Sequence, residues 1–135
     1  MKRIIFLFTV SAVFFTSCQR ALSTEASKIK KGMVKVMIMY PNSEGKTFDM
    51  DYYTNKHMPM VAELMGSSLR EMSIDKGISG RTPDEPIPYL AIGYLYFDQL
   101  SDYQEAFGSN AEKIVSDIPN YTNIQPVIQI GEVMR

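Results

Sequence analysis

The chain has 135 residues, of which 45% are hydrophobic and 21% charged, and its formal net charge is −1. This balance excludes a disordered chain and fits one globular domain with a short appendage. No basic patch indicates a nucleic-acid binder. With one cysteine, Cys18, and one histidine, His57, the chain can form neither an intrachain disulfide nor a zinc site of Cys and His alone. No spacing supports a mixed His/carboxylate site, so we predict no metal.

The first 17 residues have the pattern of a signal peptide. Two basic residues precede an apolar run, residues 4–15. This run is too short to cross a bilayer, because about 30 Å of hydrocarbon requires about 20 helical residues. Cys18 has the position of a lipobox cysteine, although Phe15 stands where an aliphatic residue is usual. We expect an exported protein that is lipidated at Cys18 and faces the periplasm. The alternative is a plain secretory signal with an incidental cysteine.

Residues 18–31 are polar and lack apolar periodicity, so we interpret them as a lipidated tether. The folded domain is predicted over residues 32–135. It begins with a predicted strand over residues 33–40, which is rich in β-forming residues. Both faces of this strand are mostly apolar. It is therefore central in its sheet, or a partner covers one side.

A helix is predicted after this strand. Asp49 has the position of an N-cap, and Phe48 and Tyr53 have the spacing of a hydrophobic staple. Pro59 lacks an amide hydrogen and disfavours the αR conformation at Met58. The helix is therefore expected to kink there, or to give way to a second short helix.

A second helix and three more strands complete the predicted order. Two capping-box patterns, beginning at Ser101 and Ser109, predict a break in the second helix near Gly108, or two short helices in succession. Gly93 lies in mid-strand and indicates a bulge or a group packed close to the backbone. The remaining strands are predicted over residues 69–79, 89–97 and 125–133.

The order βαββαβ predicts an α+β, ferredoxin-like fold in which both helices cover one face of a four-stranded antiparallel sheet. Two of the strands are apolar on both faces, and no third helix is available to cover the other face. We therefore predict a homodimer that pairs sheet against sheet as a dimeric α/β barrel. The alternative is a monomer whose bare sheet face binds a ligand.

Five segments, in this order, carry a family resemblance: Tyr40-Pro41, residues 48–53, His57-Met58-Pro59, residues 116–122 and residues 129–133. They resemble the EthD family of the dimeric α/β barrel superfamily, over about residues 33–133. The resemblance implies a homodimer with a cavity between sheet and helices. It implies no single reaction, because superfamily relatives include cofactor-free monooxygenases, isomerases, cyclases and haem-degrading enzymes. No dinucleotide-binding glycine motif follows a predicted strand, so no cofactor is predicted.

Three residues are predicted to be catalytic. His57 is the only imidazole and matches the family's H-x-P segment, and it can accept and return a proton near pH 7. The alternative is a structural histidine beside Pro59. Tyr40 and Tyr52 are predicted to stabilise charge through their hydroxyls, with core packing as the alternative for each.

Four residues are predicted to bind the ligand, namely Tyr94, Tyr96 and Phe97 on the third strand and Met37 on the first. Cavity lining and dimer packing are equally compatible with the three aromatic positions. For Met37 the alternative to lining a cavity for apolar ligands is adaptable core packing. Asp117 can pair with a basic or hydroxyl group, but hydrogen bonding at a helix end is the preferred interpretation.

Three functions follow from these patterns. The first is a cofactor-independent enzyme that oxygenates, isomerises or dehydrates a small hydrophobic or aromatic carbonyl compound, with His57 as acid–base. The second is a binding protein for an apolar or haem-like ligand. The third is a dimeric scaffold at the cell envelope. Export argues against a reductase, because cytosolic NADPH is absent outside the inner membrane.

Overall fold

A computed structural model describes residues 28–135. The predicted signal peptide, the lipidation site Cys18 and most of the tether lie outside the described residues. Within the described range, no helix combines the length and the apolar character needed to cross a membrane.

The elements follow the predicted order. Their bounds are β1 Val34–Pro41, α1 Met50–Tyr52, α2 Met58–Met65, β2 Glu71–Lys76, β3 Tyr89–Phe97, α3 Leu100–Asp117 and β4 Val127–Glu132. A π-helical turn, Tyr53–His57, joins α1 to α2. Short 3₁₀ turns follow α2 and α3.

The four strands form one sheet in the order β2-β3-β1-β4, and every neighbouring pair is antiparallel. This is the ferredoxin-like α+β arrangement, so the predicted fold class is confirmed. β1 pairs with both β3 and β4, as its two apolar faces indicated.

The first helical segment begins as predicted but passes Pro59 differently. The Asp49 side chain accepts a hydrogen bond from the Tyr52 amide at 2.9 Å, so Asp49 is the N-cap. The prediction that Met58 leaves the αR region is wrong, because its φ and ψ are −66° and −37°. The backbone widens into a π turn in which the Met58 amide bonds the Tyr53 carbonyl. Pro59 therefore follows a widened turn, and the helix continues without a break.

The predicted break in the second helix is also wrong. α3 is continuous from Leu100 to Asp117. Its capping box is formed two residues earlier than expected, by Gln99 and Asp102, with the Gln99 backbone amide donating to the Asp102 carboxylate at 3.2 Å. Ser109 does not cap a new helix, because its hydroxyl donates to the Glu105 carbonyl at 2.9 Å within the same helix.

The core lies between the helices and one face of the sheet. Strand alternation directs Val36, Tyr40 and Leu95 to this face, where they pack with Met58 and Val61 of α2.

The opposite face of the sheet carries the other alternating set, which includes Met37 and Met39 of β1 and Ile92 and Tyr94 of β3. Cross-strand neighbours there are Met37 with Tyr94 and Met39 with Ile92. None of the four belongs to the core cluster. We call this surface the open face.

Candidate active site

A cavity of about 350 Å³ lies between the sheet and the helices. The described residues that line it include no lysine, arginine, aspartate or glutamate. A ligand there would meet mostly hydrocarbon, with a few polar groups that can fix its orientation. The apolar wall is built by Val36, Ile38, Leu95, Met58, Val61, Met65, Phe107, Ile114, Val115, Ile118, Pro119, Pro126 and Ile128. The polar groups come from Tyr40, Tyr53, His57, Tyr103 and Gln125.

His57 is the most chemically capable of the polar groups. It ends the π turn, and its side chain is only 4% exposed. Its Nδ1 lies 2.8 Å from Oδ2 of Asp117, at the end of α3. Because a carboxylate can only accept, the neutral imidazole donates its Nδ1 hydrogen to Asp117. The lone pair is then on Nε2, which has no hydrogen-bond partner among residues 28–135.

Asp117 is held by three donors. Besides His57 on Oδ2, the Tyr52 hydroxyl donates to Oδ1 at 3.0 Å and the Asn120 amide donates to the same oxygen at 2.8 Å. Partial burial would raise the pKa of Asp117, but the bonds from His57, Asn120 and Tyr52 together lower it below 3.8. The carboxylate is therefore ionised at neutral pH. The interpretation of Asp117 as a helix-end residue alone is corrected, because it pairs with both an imidazole and a hydroxyl.

The protonation state of His57 follows from two opposed effects. Burial lowers its pKa, while the hydrogen bond and the charge of Asp117 raise it, and the net pKa lies below 6.5. The imidazole is therefore neutral at pH 7 and can accept a proton at Nε2. Once protonated, it would be stabilised by the adjacent carboxylate.

An aromatic cluster surrounds this pair. The rings of Tyr40 and Phe48 meet edge to face at 4.8 Å, and the Tyr121 ring lies 4.6 Å from the imidazole. The Tyr53 ring is nearly parallel to the imidazole at 5.7 Å. The Tyr40 and Tyr121 hydroxyls share a hydrogen bond of 2.7 Å. Burial raises the pKa of both phenols, so they stay neutral.

The predicted catalytic residues are brought together, but in different roles. His57 and Tyr40 line the cavity. Tyr52 does not line it, and contacts the site through its hydrogen bond to Asp117 and through its ring, which stacks on Tyr121 at 6.1 Å.

The four predicted ligand-binding residues are not brought to this cavity. Met37, Tyr94 and Tyr96 alternate onto the open face. Phe97 points toward the helices, but it is fully buried and packs on Tyr103 instead of lining the cavity.

Tyr53, Tyr103 and Gln125 are polar cavity residues that the sequence did not identify, and Tyr53 was assigned only to a hydrophobic staple. The signal was its spacing, four residues before His57, which places both side chains on one helical face. Gly93 gives a second signal for the position of Tyr53. A Cβ at Gly93 would collide with the Tyr53 hydroxyl, and β3 runs through Gly93 without a bulge. Of the two expectations for this glycine, close packing is confirmed.

No group of three or more His, Cys, Asp or Glu side chains suited to a metal ion occurs among the described residues.

Comparison with known proteins agrees with the resemblance seen in the sequence. The EthD domain family model matches residues 44–125. An EthD-like protein from Ralstonia eutropha JMP134 has a similar crystal structure, with 38% identity and a TM-score of 0.72. The alignment covers 76% of this chain and 93% of that protein. The chain belongs to the EthD family.

A second EthD family protein, from Bacillus halodurans C-125, is 22% identical with a TM-score of 0.53. Its alignment covers 76% of this chain and 99% of that chain, and it supports the fold alone. No protein with a curated description matches the chain significantly in sequence.

Proposed function

We propose that this EthD family member is a cofactor-independent acid–base enzyme that takes a proton from a small hydrophobic or aromatic carbonyl compound. The observation that carries the proposal is the His57–Asp117 pair. It leaves Nε2 of a neutral imidazole without a partner at the wall of an apolar cavity. An oriented imidazole with a pKa near or below neutrality is suited to general base catalysis.

The proposed first step is the same for each reaction class. Nε2 accepts a proton from a carbon next to the carbonyl, and the C–H electron pair becomes an enolate. The imidazolium then returns the proton at another carbon, which completes an isomerisation, or to a departing hydroxyl, which releases water. Neither route needs a co-reactant. The Asp117 carboxylate stabilises the imidazolium between the two transfers.

The cavity supports a neutral, mainly apolar substrate. Its volume of about 350 Å³ is at the small end of the usual range for ligand pockets, about 300–1,000 Å³. An anionic substrate would meet no lysine or arginine among the described lining residues. A charged group would therefore lose its hydration without an ionic partner.

Exchange of substrate α-protons with D₂O tests the proposal without knowledge of the product. We expect the protein to accelerate exchange in members of a panel of small aromatic ketones, followed by NMR. The reaction needs neutral His57, and burial lowers the pKa of this group below 6.5. The rate should therefore rise with pH through a pKa below 6.5 and stay level at neutral pH. Exchange no faster than in protein-free buffer, for every ketone, would contradict the proposal.

Haem binding is the second candidate, because Nε2 of a histidine oriented by a carboxylate is a suitable axial ligand. The lack of lysine and arginine along the described cavity wall disfavours it, since haem propionates would lack cations there. A Soret shift on haem addition that His57→Ala abolishes would favour this candidate over the enzyme.

We also propose that the protein is a homodimer that pairs through the open face. The contiguous apolar side chains of Met37, Met39 and Ile92, outside the core cluster, support this pairing. So does the membership of the EthD family in the dimeric α/β barrel superfamily.

We further propose that the protein is exported and anchored through lipid on Cys18, as the pattern of the first 18 residues indicates. The wild-type chain expressed in a bacterial envelope should incorporate a palmitate analogue, and Cys18→Ser should lose the label. Globomycin should cause the unprocessed precursor to accumulate. An unlabelled, soluble wild-type product would refute lipidation and leave a plain secretory signal.

A further inference from the structure

The Tyr53 hydroxyl is an exception to the hydrogen bonding of this protein. Tyr53 is fully buried, and its hydroxyl, although close to the Tyr40 hydroxyl, is the one buried side-chain oxygen or nitrogen of residues 28–135 that makes no hydrogen bond of standard geometry. A buried hydroxyl without a partner destabilises a fold, and such atoms are rare. Phenylalanine would pack the same ring without this cost. The hydroxyl therefore calls for a role beyond packing.

The Tyr53 hydroxyl lies close to residues that line the cavity. Tyr53 lines the cavity beside His57, and the two rings are stacked. The hydroxyl lies in the notch that Gly93 leaves in the sheet, where the Met58 methyl group and Ile38 also converge. Both of those residues line the cavity as well. The Met58 side chain is unbranched and flexible, so it can move aside for a ligand atom.

The Tyr53 hydroxyl is a neutral hydrogen-bond donor. Burial raises the pKa of Tyr53 far above its usual value, and the charge and the hydrogen-bonding contact of the nearby Tyr40 hydroxyl raise it further. The proton therefore stays on the hydroxyl at any physiological pH. The Tyr40 and Tyr121 hydroxyls share a hydrogen bond, and the Tyr52 hydroxyl donates to Asp117.

We propose that the Tyr53 hydroxyl donates a hydrogen bond to the carbonyl oxygen of a mostly apolar aromatic ketone and so positions the ketone beside Nε2 of His57. This inference rests on the proposed function and deepens it by naming the anchoring group and the substrate class. A cavity of about 150 Å³ holds benzene. A volume of about 350 Å³ therefore indicates a ligand of about two fused rings.

The test compares two probes of similar shape, 2-acetylnaphthalene and 2-ethylnaphthalene, which differ in the carbonyl oxygen. Binding to the full mature protein is measured by calorimetry or fluorescence. Wild type should bind the ketone more tightly than the hydrocarbon. Tyr53→Phe should weaken ketone binding about fivefold to tenfold, the value of one hydrogen bond, and leave hydrocarbon binding unchanged. Tyr89→Phe, the same chemical change on a residue that does not line the cavity, should alter neither.

Unfolding of the ligand-free variants gives a second readout. Tyr53→Phe should be at least as stable as wild type, because it removes an unpartnered buried hydroxyl. A less stable Tyr53→Phe would show that the hydroxyl already has a partner, and would overturn the proposal. The proposal would also be overturned if Tyr53→Phe weakened the binding of both probes equally, or if wild type bound neither probe. A preference for the ketone that depended on Tyr103 and not on Tyr53 would overturn it as well.

Binding and proton exchange also separate this inference from the proposed function. Ketone binding that depends on Tyr53 but is not accompanied by α-proton exchange would refute the enzymatic function and support the anchoring site. Exchange that continues unchanged in Tyr53→Phe would refute the anchoring role of Tyr53 and support the enzymatic function.

Discussion

His57→Gln should lower kcat/KM for α-proton exchange by about 10²–10⁴-fold, the usual contribution of a positioned general base. Glutamine keeps a polar group that can bond Asp117, so the carboxylate does not lose its partner in the core. The loss should therefore be in catalysis more than in folding. Initial exchange rates by NMR, with circular dichroism and thermal unfolding on the same samples, check both parts. Exchange that persists at the wild-type rate in a folded His57→Gln protein would remove His57 as the base.

Asp117→Asn should show that the carboxylate acts through His57. The charge and hydrogen bond of Asp117 raise the pKa of His57 against the effect of burial. Removing the charge should therefore lower that pKa further, and NMR titration of the single imidazole measures it directly. Exchange should fall because the imidazolium loses its stabilising partner. The double variant should be little worse than His57→Gln, since residues that act as a unit are not additive.

Asp98→Asn is the matched control for this charge change. Asp98 is half-exposed and pairs with Arg70 at 2.8 Å, away from the cavity. It should leave the His57 titration and the exchange rate unchanged. A His57 pKa that Asp117→Asn leaves unchanged or raises would contradict the proposed coupling.

Much of the fold could be predicted from the sequence because it rests on local patterns. Alternation identified β3 with its observed bounds, Tyr89–Phe97, and two apolar faces marked β1 as central. The Asp49 cap followed from residue type and position. The predicted interruptions of the two helices also rested on local patterns, but they were wrong. At Pro59 the helix continues through a π turn, and at Ser109 the hydroxyl donates to a carbonyl within the same helix, so neither residue interrupts its helix.

The site was harder to predict because its parts are far apart in the chain. His57 and Asp117 are 60 positions apart, and no local pattern pairs them. Strand β3 is apolar on both faces, so its sequence alone does not show which face meets the cavity. Tyr94 and Tyr96 were chosen, yet the cavity-facing residue is Leu95. Tyr53, interpreted as a staple residue, and Asp117, interpreted as a helix-end residue, therefore contribute polar groups to the site, while three of the four residues predicted to bind the ligand lie on the open face.

The open face gives the second large prediction, which concerns assembly. Met37 lies in the middle of β1, one of the two central strands, between Tyr94 of β3 and Gln129 of β4. In a two-fold symmetric sheet-to-sheet dimer, a substitution there occurs twice in the same buried interface. Met37→Asp would place two unpaired carboxylates in that interface. Burying such charges costs about 3 kcal/mol or more, which raises the dimer dissociation constant by about 10²-fold.

Light scattering over a range of protein concentrations should therefore detect dimers of wild type and monomers of Met37→Asp. Ile78→Asp is the matched control, because Ile78 lies on a loop and is 91% exposed. It adds the same charge outside the proposed interface and should remain dimeric. A wild-type protein that stays monomeric, or a Met37→Asp protein that stays dimeric, would contradict pairing through the open face.

The same variant separates assembly from catalysis. His57, Asp117 and the cavity wall come from one chain and lie on the helix side of the sheet, away from Met37. A folded Met37→Asp monomer should therefore keep most of the exchange activity. A monomer that folds but loses exchange would mean that the partner chain stabilises the cavity from the other side of the sheet. Met37 would then affect ligand binding indirectly, by holding the dimer together. Activity that persists in the monomer would assign the open face to assembly alone and the reaction to the His57 side of a single chain.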